Sequence, residues 1–276
     1  MNSDSYITGK IEKYCVSKTG LHVTDTLRKP VVKFFYDRCV FYQCGIDDYL
    51  SILDRDPVEY AKLITRLTVN ETYFFREERH FRFLEKHILP EFISKPGPVK
   101  IWSATCSSGE EAVSLYCIAS EILGRDRFNI FATDIDGEML DNFKTGRYRQ
   151  NSFREDGSSY HQIILKHSVS DGNGIFVSPD IISSINITNV NLFELVSPDL
   201  PEDFDIIFFR NTLIYFNFSE RNSIINTVIN RLKPGGLFFL SMTETALVQN
   251  PDLQLECLDN VYYFRKKSIT NASGGI

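Results

Sequence analysis

Apolar positions in this 276-residue chain change their period near residue 98. Up to residue 66 they recur at three- and four-residue steps, as in "PVVKFFYDRCVFY" and "DPVEYAKLITRL", the spacing of amphipathic helices. Pro30 suits a first helical turn, and Asp56 ahead of Pro57 reads as an N-cap. A small all-helical unit is therefore predicted over 1–66. A linker and one further helix, "REERHFRFLEKHILPEFI", cover 67–97 and end at the breaker "SKPGPVK".

Beyond that boundary, short apolar runs alternate with helical patterns. "VKIWSA" reads as a buried strand, "CSSGEEAVSLYCIASEIL" as a helix from near Ser108, and "RFNIFATDID" as a second strand. "DGEMLDNFKTG" is a helix closed by Gly146. The spacing is that of βαβ units, which places a mostly parallel sheet over 98–267. Residues 148–184 interrupt it as an inserted β-subdomain. There "YHQIILKHSV" and "GIFVS" alternate weakly around Asp171-Gly172-Asn173-Gly174, as in a hairpin, beside the polar "EDGSS". The βα pattern resumes with strands "INITNVNL" and "FDIIFFRN", and a helix "SERNSIINTVINRL" capped by Ser219. A "KPGG" turn then leads to strands "LFFLSM" and "VYYFRKK". The tail 268–276 is small and polar and reads as disordered.

Composition narrows the function. With 43% hydrophobic and 24% charged residues this is an ordinary globular chain. A formal charge of −6 and the lack of a basic run argue against nucleic acid. The polar opening and the absence of an eighteen-residue apolar run predict a cytoplasmic protein without membrane insertion. The six cysteines, without metal-like spacing, read as reduced core residues. The five histidines predict no metal site, and His161 and His167 read as a solvated pair. Nothing demands more than a monomer.

An open parallel sheet binds ligands beyond the carboxyl ends of its strands. "SATCSSGEE", after the first strand, is neither G-x-G-x-x-G nor a P-loop, and Glu110 and Glu111 stand where a phosphate would want positive charge. Either they favour a cationic ligand part, such as an α-amino group, or they satisfy the helix N-terminus. Asp134, ending the second strand, suits ribose hydroxyls, while Asp136 suits the cap of the next helix. Asn191-Leu192 and Arg210-Asn211 end the next two strands. Ahead of them, "LTVNETYFFREERHF" packs Tyr73, Phe74 and Phe75 against Arg76. Adjacent side chains point in different directions, so the three rings are expected to anchor the linker to both domains and fix Arg76 over the cleft.

In order, "TVNETYFFRE", "IWSATCSSGEEAVSLYCIA", "FATDIDGEMLDNFKTGRY", "NVNLF", "FDIIFFRNTLIYF" and "LKPGGLFFLS" resemble the chemotaxis receptor glutamate O-methyltransferases, the CheR family, over about residues 60–245. The resemblance implies a class I, Rossmann-like methyltransferase fold that uses S-adenosylmethionine and releases S-adenosylhomocysteine. It implies that Asn70, Thr72 and Arg76 close over the cofactor, that Glu111 meets its methionine part and Asp134 its ribose. Asn191 and Leu192 would border the adenine. Arg210, Asn211 and Tyr215 would complete the site, with Tyr215 close to the transferred methyl and Arg76 holding either the substrate or the cofactor carboxylate. The implied substrates are glutamates on the cytoplasmic helices of chemoreceptors.

Two departures stand out. "SDGNGIFVS" lacks the arginine of the loop that binds a receptor pentapeptide tether, which points to a tether-independent form. "SMTE", Ser241 to Glu244, replaces the usual "GHSE". The rival readings are a methyltransferase acting on another protein or a small molecule, and a non-catalytic module that binds the cofactor or its product.

Overall fold

The computed structural model describes residues 3–154, 160–170, 172–194 and 197–268. The stretch "EDGSS", Asp171 and nearly all of the tail lie outside them.

Four helices come first: α1 (Ser3–Thr19), α2 (Asp25–Tyr42), α3 (Ile46–Leu53) and α4 (Pro57–Leu67). α4 starts where the sequence predicts, with the Asp56 carboxylate accepting from the Val58 and Glu59 amides. α2 does not, because Pro30 lies inside it. The Thr24 carbonyl already accepts from Leu27 and Arg28, so a turn forms ahead of the proline. An 18-residue helix tolerates one missing bond.

The next helix is broken. α5 (Glu78–Phe83) passes into a π turn at Leu84–Ile88 and a 3₁₀ turn at Leu89–Phe92. Pro90 offers no N–H to the Lys86 carbonyl, so the ladder widens before it and tightens after it.

The main sheet is built from β1 (Val99–Ser103), β2 (Phe128–Asp134), β6 (Ile185–Asn189), β7 (Phe204–Phe208), β8 (Leu232–Phe239), β9 (Leu253–Leu258) and β10 (Val261–Lys266). Its order is β6-β2-β1-β7-β8-β10-β9, parallel except for β10. The chain runs outward from β1 to β6 and returns on the other side at β7. That reversal opens a crevice at the carboxyl ends of β1 and β7. The helices are α6 (Glu110–Leu123), α7 (Gly137–Lys144), α9 (Pro179–Ser184) and α10 (Phe218–Asn230).

Several local expectations need correction. Asn217, not Ser219, caps α10: it accepts from the Glu220 amide, Glu220 answers with its carboxylate, and Ser219 donates to Asn217. "KPGG" is no turn. It lies inside β8, where Gly235 at φ 76 takes up a slip in register against β7. β9 was not foreseen. It joins β10 through Asp259 and Asn260, both left-handed, with φ 50 and 59.

In the insert, β4 (Ser168–Ser170) and β5 (Gly174–Val177) form the predicted hairpin, with β3 (Arg147–Arg149) as a third strand. "HQIILK" is instead a helix, α8 (His161–Lys166), because three consecutive aliphatics suit a turn better than alternating faces. His161 and His167 are half-buried rather than solvated; the first ring packs edge-on against Phe153.

Two apolar clusters fill the molecule. α5, α6 and the insert cover one sheet face. On the other, side chains of α1–α4 and α10 join Trp102, Phe204 and Phe238 in one continuous core. All six cysteines are free thiols. No helix among the described residues is long and apolar enough to cross a membrane, and no acidic, His or Cys cluster there is arranged to hold a metal.

Candidate active site

The turn after β1 is shaped by its backbone. Ser107 and Gly109 adopt φ 49 and 93. A Cβ on Gly109 would fall 2.3 Å from the Phe143 ring, so only glycine fits. α6 consequently starts at Glu110, two residues later than the pattern suggested. The two acidic residues then part company. Glu110 is buried and accepts from Ser108 and Ser152, facing the insert. Glu111 faces the crevice, accepts from Ser103 at 2.7 Å, and lies 3.2 Å from Nη1 of Arg210. Burial pushes both carboxyls above the usual carboxylate range, against the pull of Arg210 on Glu111.

Asp134 ends β2 only 7% exposed. Its oxygens accept from the amides of Ser107 (2.8 Å) and Asp136 (2.9 Å). Burial still raises its pKa to about 6, partly offset by those two amides. Asp136 caps α7 as predicted and also accepts from Thr65, Thr68 and Asn70, tying α4 and the linker to the sheet. The Asn70 amide is thus committed to Asp136, although the residue lines the crevice.

The linker aromatics do not bridge both domains as expected. Phe74 packs on Tyr148 and Phe153 of the insert, and Phe75 on Phe81 and Tyr160. Both belong to the cluster opposite the N-terminal helices. Tyr73 lies under the guanidinium groups of Arg154 (4.2 Å) and Arg76 (5.7 Å). The Phe74 and Phe75 amides donate to the Ser152 carbonyl and the Ser114 hydroxyl. Phe75 and Glu77 have φ 56 and 57, a left-handed state that is costly for bulky residues. Arg76 stands between them, half-buried on the crevice wall, its side chain donating to the Glu71 carbonyl.

Arg210, 4% exposed, lies beneath this turn and donates to the Arg76 carbonyl. Its Nε has no hydrogen-bond acceptor, and Nη1 meets the Glu111 carboxylate only as an ion pair. Asn211 takes φ 60, and its amide donates at 2.6 Å to Glu244, which is wholly buried and also accepts from Ser241. Glu244 supports this turn from within "SMTE", a role the sequence does not announce. Tyr215 is half-buried; burial raises its phenol pKa and nearby Arg76 opposes the rise.

One crevice, partly open to solvent, brings together Asn70, Thr72, Arg76, Glu111, Asp134, Arg210, Asn211 and Tyr215. Asn191 and Leu192 line an adjoining, mainly apolar slot that shares Leu21, Thr105, Ile135 and Thr212 with it. Asn191 also donates to the Lys18 carbonyl. Leu21, from the segment after α1, was not foreseen as a lining residue. The donor set fits S-adenosylmethionine. A cation with a free Nε–H stands beside a carboxylate for an amino-acid end, a second carboxylate for a diol, and an apolar slot for a planar base.

Residues 70–261 match the family described as "CheR methyltransferase, SAM binding domain". The chain is 33% identical to the chemotaxis protein methyltransferase of Salmonella typhimurium over 237 residues, 82% of this chain and 79% of that one. It is 34% identical over 215 residues to chemotaxis protein methyltransferase Cher2 of Pseudomonas putida, covering 74% and 77% of the two chains. The Escherichia coli chemotaxis protein methyltransferase is 29% identical over 85% of this chain and 82% of its own. The cofactor is S-adenosylmethionine, and the chain belongs to the CheR family of methyltransferases that act in chemotaxis.

Proposed function

We propose that the protein transfers the methyl group of S-adenosylmethionine to glutamate side chains on the cytoplasmic helices of chemoreceptors, forming methyl esters. The observation that carries this is the placement of half-buried Arg76 and Tyr215 on the same crevice as the deeper Glu111, Asp134 and Arg210. In this arrangement Glu111 and Arg210 hold the methionine end, Asp134 the ribose, and Asn191 and Leu192 border the adenine. Asn70, Thr72 and Asn211 complete the walls. The bound cofactor supplies a methyl on a cationic sulfur.

A glutamate acceptor is already ionised at neutral pH, its reference pKa being about 4.3, so the chain needs no general base. Its task is positional. Arg76 offers a planar fork that holds a carboxylate through two N–H donors, and Tyr215 a phenol oxygen beside the reacting atoms. Arg210, with an unmatched Nε–H, is the better partner for the cofactor's own carboxylate, which leaves Arg76 for the acceptor. Phe74 and Phe75 anchor the turn on the insert and help exclude water that would hold the nucleophile back.

The segment from β4 into β5, with Gly172 and Gly174, has no arginine, which supports recognition independent of a pentapeptide tether. α2 exposes Tyr36, Val40 and Phe41 on its surface, and such apolar exposure suits docking of receptor helices.

The test uses methyl-tritiated cofactor and membranes bearing the organism's own receptors. Base-labile label should appear on glutamates identified by mass spectrometry, with or without the receptor's terminal pentapeptide. Arg76→Ala should keep the fold and lose at least about tenfold in transfer. Label that resists base, or wild-type turnover in Arg76→Ala, would refute the proposal.

A further inference from the structure

Behind the crevice lies a histidine whose packing alone does not account for it. His80 is 0% exposed, with its ring edge-on to Phe208 and Phe239 at 6.4 and 5.9 Å between centroids. Nε2 has no hydrogen-bond partner, and Nδ1 meets only the Glu77 carboxylate, off the line of a full hydrogen bond. In such a shell leucine would fill space without leaving polar atoms unpaired, so the imidazole costs stability where it stands. Burial, reinforced by Arg210, pushes its pKa down to about 2 and keeps the ring neutral.

What the ring has and leucine lacks is Nδ1, 3.3 Å from Oε2 of Glu77. That oxygen also accepts from the Met242 amide at 3.3 Å and lies 4.0 Å from Nη2 of Arg210. Glu77 follows Arg76 directly and holds a left-handed backbone that needs outside support. Arg210 grips the Arg76 carbonyl one residue away. The turn presenting Arg76 is therefore pinned twice, by Arg210 on its backbone and by Glu77's carboxylate from beneath.

We propose that His80 is a positioning residue for methyl transfer: its ring sets Nδ1 against the Glu77 carboxylate, and Glu77 fixes the turn that aims Arg76 at the acceptor. The inference rests on the assignment of Arg76 made above. It separates two roles that one buried side chain would otherwise merge, packing and orientation.

The test compares His80→Leu, His80→Gln and His80→Asn in the full chain. Asparagine places an amide nitrogen near the position of Nδ1, glutamine near Nε2, and leucine neither. At saturating cofactor, kcat on receptor membranes should fall at least about fivefold in the Leu and Gln variants and stay within about twofold in Asn. Affinity for S-adenosylhomocysteine should hold within about twofold throughout. The thermal midpoint of His80→Leu should equal or exceed that of the parent. In an Arg76→Ala background His80→Leu should cost nothing further, since both act through one group. A fully active His80→Leu, an equal loss in Leu and Asn, or additive losses would overturn the inference. Full activity in Arg76→Ala alone would remove the assignment of Arg76 and this inference with it. An inactive Arg76→Ala beside an unaffected His80→Leu would remove only this inference.

Discussion

At the scale of single residues, the crevice sets ionised groups against burial. Asp134 has its pKa raised to about 6. A carboxyl raised above its unfolded value stabilises the ligand-free fold below about pH 4, and that contribution is lost as pH climbs through 6. Glu110 and Glu111 shift in the same direction. If ribose hydroxyls need the ionised form of Asp134, binding runs the other way. Calorimetry should find affinity for S-adenosylhomocysteine about tenfold weaker at pH 5 than at pH 7, and Asp134→Ala should be weak at both. A flat profile in the parent protein would reject Asp134 as the ribose partner. Asp134 was legible in the sequence because a strand end fixes where a side chain emerges, whereas Glu111 separates from Glu110 only once the turn at Gly109 sets the start of α6. His80 and Glu244 were not legible, because the Phe208 and Phe239 rings around His80 and the Asn211 amide on Glu244 meet them only through the tertiary fold.

At the scale of elements, regular periods were readable and their interruptions were not. β1, β2 and β7 are buried parallel strands, so continuous apolar runs announced them. β9 is an edge strand that buries Leu253 and exposes Leu255 and Leu258, leaving too little contrast to read. The helix before β1 breaks at Pro90, and the N-cap of α10 moved by two residues because Asn217 forms a reciprocal pair with Glu220. The glycine at the head of α6 is the most exacting of these features. Gly109→Ala combines a left-handed backbone with a clash against Phe143. It should destabilise by about 2 kcal/mol or more, lower the thermal midpoint by several degrees, and weaken cofactor binding. An unchanged midpoint would show that Phe143 yields freely.

At the scale of the whole molecule, the N-terminal helices are part of the site's construction. Thr65 of α4 and Thr68 just after it donate to Asp136, the Lys18 carbonyl holds Asn191, and Leu21 lines both halves of the crevice. The sequence showed a helical unit but not that its core continues into one sheet face, since nothing local marks a shared interface. The same helices turn Val40 outward at 77% exposure. Val40→Asp should reduce methylation of receptors in membranes by up to about tenfold and leave affinity for S-adenosylhomocysteine unchanged. Equal methylation would place receptor docking elsewhere. The most direct test of the arrangement as a whole is a crystal structure with S-adenosylhomocysteine bound. Its ribose should lie on Asp134, its carboxylate on Arg210, its adenine beside Leu192, and its sulfur should face Arg76 and Tyr215. Density for it outside this crevice, or a sulfur turned away from Arg76, would contradict the account.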